Sequence, residues 1–287
     1  MLPLVKPVTD WYVASARDLP WRRPGVDAWA VLVSEVMLQQ TPVARVLEPW
    51  AAWLERWPTP AALAAAPSGE AVRSWGRLGY PRRALRLHAA AVTVVERHDG
   101  VLPATVEQLL ALPGVGDYTA RAVAAFAYRQ RVPVVDTNVR RVLARAVEGV
   151  ADAPVRRADL ARVEALLPDD PEQAATGSVA LMELGALVCT ARAPRCPVCP
   201  VRTSCAWRAA GSPALDAPVK RPQGYAGTDR QVRGRLLAVL RDAPGAVEPD
   251  LLAQAWQEPV QRARALDGLV ADGLVDPLPD GTYALPA

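Results

Sequence analysis

Lysine is all but missing from this 287-residue chain: Lys6 and Lys220 are the only two among 33 basic side chains, the rest being arginine. Most candidates for an amine nucleophile that forms an imine with its substrate are thereby removed. Histidine is as scarce, with His88 and His98 alone. No run of about 18 apolar residues occurs, which excludes a membrane-spanning helix of ordinary length. The opening MLPLVKPVTDWYVASARDLPW lacks the long apolar core of a secretory signal. The expectation is a cytoplasmic protein with no membrane partner. A large excess of one charge sign is missing too. Net charge +3 and a pI near 8.8 permit nucleic acid without requiring it. Hydrophobic residues at 51% and charged residues at 22% exclude a disordered chain. The length suffices for about two or three domains, and internal repeats are not evident.

Cysteine is confined to Cys189, Cys196, Cys199 and Cys205, spaced C-x6-C-x2-C-x5-C. Disulfides are rare in a cytosolic chain, so four thiols this close point to one metal site. Zinc is the generic occupant of such a set, although zinc ribbons usually carry two CxxC knuckles and this chain carries one.

Residues 109–138 hold the most structured signal. A helix over Val106 to Leu112 runs into Pro113-Gly114-Val115-Gly116, and an Ala-rich helix starts at about Asp117. Two glycines allow positive φ and close approach of a ligand to the backbone. The free N–H groups from Val115 to Thr119 then form a seat for a phosphate oxygen that reads no base. A plain helix–turn–helix with a glycine stop fits the same letters.

Residues 27–41 read as a helix apolar almost all round, in which Glu35 is the only charge between Asp27 and Arg45. A carboxylate there is either structurally satisfied or raised in pKa. Residues 9–21 read as a short amphipathic helix. In Trp75-Gly76-Arg77-Leu78-Gly79-Tyr80, an aromatic tip stands beside Arg82, Arg83 and Arg86, either as a solvated basic face or as a wedge into stacked bases with arginines on phosphates. Asp136 lies where a helix N-cap belongs, ahead of Thr137, Asn138 and a helix over Val139 to Val147, and that position favours its ionised form. Residues 209–225 read as a linker. The tail reads as three helices and a hairpin, a small winged-helix-like α+β module over 226–287 or a helical appendage.

These motifs together resemble the helix-hairpin-helix DNA glycosylases of the endonuclease III superfamily, and the MutY-type adenine glycosylases in particular, over residues 11 to 208. The resemblance implies a mainly α, two-domain fold. A six-helix domain with the helix-hairpin-helix would span 22–131, and a 4Fe-4S cluster domain would take 1–21 and 132–208. It implies a cluster on Cys189, Cys196, Cys199 and Cys205, with a structural and DNA-docking role.

The same resemblance implies that Glu35, within Ser34-Glu35-Val36-Met37-Leu38-Gln39-Gln40-Thr41, is the catalytic acid and that Asp136 stabilises the sugar cation. Tyr118 and Asn138 would orient them. Arg17, Leu19 and Trp21 would line the adenine pocket, and Gln40, Thr41, Leu78 and Tyr80 would meet the mispair. Gly114, Val115, Gly116, Tyr118 and Thr119 would hold the DNA backbone. Tyr118 stands where bifunctional relatives place a lysine, so imine formation and strand cleavage are not expected.

The expected activity is excision of adenine opposite 8-oxoguanine or guanine from double-stranded DNA by a nucleoid-associated monomer. Three departures stand out: Arg77 and Pro81 in the wedge, Thr137 in place of the family's glycine, and no histidine beyond His98 for a Phe-Ser-His loop. A glycosylase for thymine or uracil opposite guanine, or a non-enzymatic DNA-binding metal protein, remains open on these residues.

Overall fold

The computed structural model describes residues 4–214 and 224–287; most of the expected linker, 215–223, lies outside the described residues. In chain order the helices are α1 (Val5–Ser15), α2 (Ala28–Leu38), α3 (Leu47–Arg56), α4 (Pro60–Ala64), α5 (Ser68–Trp75), α6 (Arg82–His98), α7 (Val106–Leu110), α8 (Asp117–Phe126), α9 (Thr137–Leu143), α10 (Ala158–Glu164), α11 (Pro171–Leu187) and α12 (Ala206–Ala209). The C-terminal region adds α13 (Asp229–Asp242), α14 (Pro249–Ala255), α15 (Pro259–Ala271) and a two-residue hairpin, β1 (Asp276–Pro277) with β2 (Tyr283–Ala284). The fold is mainly helical, as the periodicities require.

The chain divides into two compact units. The first takes residues 1–32, 104–110 and 116–219. In it α11 packs on α1, α8 and α9, and Val8, Val139, Leu143, Val163, Leu181 and Leu184 share one core. Close approach of α9 to α11 depends on Gly185, because a Cβ there would lie 2.6 Å from the carbonyl oxygen of Asn138. The second unit takes residues 33–103, 111–115 and 220–287. Its core includes Trp53, which meets Trp57 and Trp75 edge-on with ring centroids 4.7 and 5.6 Å away.

The C-terminal region is part of this second unit. Arg241 of α13 donates to the carbonyls of Val72 (2.9 Å) and Gly76 (2.5 Å), and Gly69 donates its N–H to the carbonyl of Pro286 at 2.7 Å. Burial lowers the Arg241 pKa to about 10. Its three helices match the sequence expectation, and β2 also bridges to Val247.

Several boundaries differ from the sequence reading. The first helix stops at Ser15, since Ala16 is extended (ψ 144°), and Pro20–Arg22 forms a separate 3-10 turn. Helix α2 begins at Ala28 under the Asp27 carboxylate, which accepts from the Ala30 N–H at 2.7 Å, and it ends at Leu38 ahead of a left-handed Gln40 (φ 55°). Helix α9 does not run straight to Val147 but loosens into a π turn over Ala144–Glu148.

Candidate functional site

In the first unit, Asp136 caps α9 as the sequence predicts. Its Oδ1 accepts from the Val139 N–H at 2.7 Å and its Oδ2 from the Asn138 amide at 2.7 Å. Burial raises the Asp136 pKa above its usual 3.8, and the hydrogen bonds and the Arg141 charge oppose that rise without cancelling it. The expected net effect of the helix N-terminus, a readily ionised carboxyl, is therefore reversed: desolvation outweighs the donors.

Arg141, buried, extends this network. Its guanidinium donates to Asn138 Oδ1 at 2.6 Å and to the carbonyls of Gly185 (2.8 Å) and Cys189 (2.7 Å). Asn138 is thus held from both sides, with its amide on Asp136 and its oxygen on Arg141. The sequence reading missed Arg141, which in the letters is one of two adjacent arginines, Arg140 and Arg141, on α9.

Arg17 does not face an open pocket with its charged end. It grips Glu183, fully buried on α11, through Nε at 2.7 Å and Nη2 at 2.6 Å, and Arg22 reaches the same carboxylate at 3.0 Å. Burial pushes the Glu183 pKa up, but the Arg17 hydrogen bonds and both guanidinium charges outweigh it and hold the carboxyl below its ordinary value. Leu19 and Trp21, at 5% and 6% exposure, belong to the core. Glu183 escaped the sequence reading, although it is the lone charge between Glu172 and Arg192, the same signal that singled out Glu35. Tyr118 is half-buried on α8, with its hydroxyl 3.4 Å from the Met182 sulfur.

The hairpin keeps one of its two expected left-handed glycines. Gly114 has φ 76° and packs against Arg86, whose Cβ would lie 2.6 Å from a side chain at that position. Gly116 is extended (φ −95°), and no atom lies within 4 Å of where its Cβ would stand. Gly116 therefore supplies bare space at the start of α8, as an approaching phosphate requires. Val115 and Thr119 are buried, and Asp117 pairs with Arg121 at 3.0 Å.

The four cysteines lie in the first unit. Burial pushes the thiols of Cys189 and Cys199 up, and Cys189, Cys205 and Cys196 all act electrostatically on Cys199. Arg145 stitches the surrounding loop, donating to the carbonyls of Thr190 (2.7 Å), Ala191 (3.1 Å) and Ala151 (2.7 Å), with its Nη1 3.6 Å from Cys189 Sγ. Among the described residues no three His, Cys, Asp or Glu side chains come close enough to hold a single ion.

In the second unit, Glu35 is 5% exposed on an α2 that is buried nearly all round. Thr41 meets Leu78 there, and Gln40, Leu78 and Tyr80 line one cleft. Thr41 donates its hydroxyl to the Leu78 carbonyl at 3.2 Å. Gly79 (φ 82°) and Tyr80 (φ 48°) turn left-handed, leaving Tyr80 52% exposed while Leu78 is buried. The projecting tip is Tyr80, and Leu78 anchors it.

Arg83 is not on a phosphate-facing surface. It is buried and donates to the carbonyls of Val36 (2.8 Å), Met37 (2.9 Å), Gln39 (2.7 Å) and Gly79 (2.9 Å) and to Thr41 Oγ1 (3.0 Å). Burial brings its pKa down to about 10. It joins the end of the Glu35 helix to the Tyr80 turn.

Comparison with known proteins places this geometry. Residues 33–157 match the HhH-GPD superfamily base excision DNA repair protein family. An adenine DNA glycosylase of Mycolicibacterium smegmatis is 60% identical over 276 residues, covering 96% of this chain and 93% of that relative. The chain belongs to the adenine DNA glycosylase family. The human relative of the same name is 44% identical over 69% of this chain, which is 38% of that protein. A 96% span must include most of the C-terminal region, so that region is shared with the mycobacterial relative. Among solved structures, a thermostable thymine-DNA glycosylase superposes with TM-score 0.66 at 25% identity, covering 72% of this chain and 95% of that one. An endonuclease III in a non-covalent DNA complex superposes with TM-score 0.62 at 22% identity, a likeness of fold. No helix among the described residues is long and apolar enough to cross a membrane.

Proposed function

We propose that the chain is a monofunctional base-excision-repair glycosylase that hydrolyses the N-glycosidic bond of adenine opposite 8-oxoguanine or guanine in double-stranded DNA. The observation that carries the reading is 60% identity to an adenine DNA glycosylase along nearly the whole length. Glu35 is the acid in this reading. In its protonated form a buried carboxyl can give its proton to adenine N7 and make the base a leaving group. A pyrimidine has no N7, so this arrangement favours adenine over the thymine or uracil reading. Asp136, positioned through Asn138 and Arg141, stabilises positive charge on the sugar. Extrusion of the target nucleotide costs a few kcal/mol and is easiest at a mispair.

Tyr118 cannot form an imine, so the abasic strand stays intact until alkali or a second enzyme cuts it. Cys189, Cys196, Cys199 and Cys205 would hold a 4Fe-4S cluster, which braces the loop carrying Arg192 and Arg195 near DNA. We keep the domain division at 22, 131 and 208, the winged-helix-like reading of 226–287, a monomeric state and a cytoplasmic, nucleoid-associated location as parts of the same proposal.

Single-turnover base release from duplexes with adenine opposite 8-oxoguanine, guanine and thymine, scored with and without alkali, tests it. Release opposite 8-oxoguanine with nicks only after alkali is expected. No adenine release by iron-loaded protein that still binds the duplex would transfer the assignment to pyrimidine mispairs. Glu35→Gln should abolish release and leave duplex affinity within about threefold; retained turnover removes Glu35 from the acid role.

A further inference from the structure

Nine arginines and one carboxylate line a cleft of about 1000 Å³ in the second unit. The whole chain carries a net charge of only +3, so this is a steep local concentration of positive charge. Five of the nine are engaged within the fold. Arg83 and Arg241 donate to backbone carbonyls as described, Arg45 donates to the carbonyl of Arg77, and Arg82 and Arg233 share the two oxygens of Asp272.

The other four, Arg77, Arg86, Arg230 and Arg235, are exposed, and no carboxylate pairs with them among the described residues. Two of these come from α13. Arg230 lies 5.2 Å from the Tyr225 ring centroid and Arg235 5.2 Å from that of Trp256. An aromatic face steadies a guanidinium without neutralising it. The lining also includes Gln40 and the exposed Tyr80.

Four cations from two chain segments, without counter-charges among the described residues, match a polyanion better than one small anion, because a single phosphate can satisfy only one or two guanidiniums. We propose that this cleft grips the phosphodiester backbone of duplex DNA beside the Tyr80 turn, on the strand facing the target adenine, which makes α13 a second, sequence-independent clamp. The choice of strand follows from Gln40, Thr41 and Tyr80: if they meet the base opposite adenine, the phosphates beside them belong to its strand. The inference rests on the DNA-repair reading above, and it gives the C-terminal region a task that the sequence did not reveal.

The test uses the full-length, iron-loaded protein with a duplex carrying a non-cleavable adenosine analogue, and measures affinity against salt. Arg230→Gln/Arg235→Gln should lower the slope of log affinity against log salt by about 2, at roughly 0.9 per phosphate contact. Between about 50 and about 200 mM salt the parent should then lose roughly tenfold more affinity than the double variant. Arg230→Lys/Arg235→Lys should keep the parent slope, and Arg97→Gln, exposed and outside the cleft, should shift it by no more than that of a remote charge. An unchanged slope overturns the clamp, as does a Lys pair that fails like the Gln pair, or competition by free nucleotides or acidic peptides with no change in slope. If the parent releases no adenine, the glycosylase reading fails on its own, and the salt slopes still decide the clamp.

Discussion

Arg83→Met cuts a junction that the sequence reading took for part of a basic surface. In the folded protein the Arg83 guanidinium satisfies four carbonyls and one hydroxyl at 2.7–3.0 Å, three of the carbonyls (Val36, Met37, Gln39) at the end of the helix that bears Glu35. Hydrogen bonds to a charged partner contribute about 1.5–3 kcal/mol each. Against them stands the cost of burying the charge. The fall in pKa from 12.5 to about 10 corresponds to about 3 kcal/mol. Methionine fills similar volume but leaves the carbonyls with water as their only substitute, so the net loss should be about 3–5 kcal/mol, as for a buried charge network that loses one member. A domain stable by about 5–15 kcal/mol survives this with a lower urea midpoint. The more specific consequence is catalytic. Freed from the Tyr80 turn, the end of α2 can shift, and a displacement of about 1 Å at a reacting group costs about a hundredfold in rate. Urea denaturation and single-turnover release, run on Arg83→Met and Arg83→Lys, read both effects. Lysine keeps the charge but not the fork, and should recover stability only in part. A midpoint shift worth under 1 kcal/mol, or a parent-like release rate in Arg83→Met, would refute the reasoning.

Asp136→Asn keeps the cap geometry and removes the charge. Because burial raises the folded-state pKa of Asp136, its contribution to stability is greatest below 3.8 and fades as pH rises through the folded value. The stability of the Asn variant relative to the parent should therefore fall as pH falls, on top of a pH-independent cost because its amide nitrogen meets the Asn138 amide donor to donor, while base release falls by orders of magnitude; thermal melts across pH and single-turnover rates check the two halves. Glu183→Gln leaves Arg17 and Arg22 without their shared carboxylate and should cost about 3 kcal/mol at neutral pH, the low end for a broken buried pair because Arg17 keeps some access to water. Since the Glu183 pKa is lowered in the fold, that gap should narrow as pH falls through the folded value, and a gap independent of pH would contradict the assignment. Cys199→Ser should release iron and lower both melting temperature and duplex affinity; an iron-free variant with the parent's melting temperature would contradict a bracing role for the cluster.

The residue types to which the proposed function gives the chemistry were legible as anomalies of local pattern: Glu35 as the lone charge on an apolar helix, Asp136 as an N-cap, four cysteines in one short segment, and the glycine pair of the hairpin. Each is set by neighbours within a few positions, so sequence spacing alone exposes it. The helical class and the three helices of the tail were equally local matters of period and capping. Long-range pairing was not legible. That Arg17 serves Glu183, 166 positions away, that Arg83 serves the end of α2, and that α13 brings Arg230 and Arg235 to the cleft of the Tyr80 turn depend on which helix faces pack. In the letters alone, an arginine bound to buried carbonyls and an arginine waiting for a phosphate look the same. Burial separates them: Arg83 at 6% exposure is closed off from any ligand, while Arg86, one turn along the same helix, remains in water. The sequence by itself determined which groups could act. Tertiary packing decided which of them are desolvated, which are already satisfied and which are left to meet DNA, because solvent access and long-range partners are set only when the chain closes on itself.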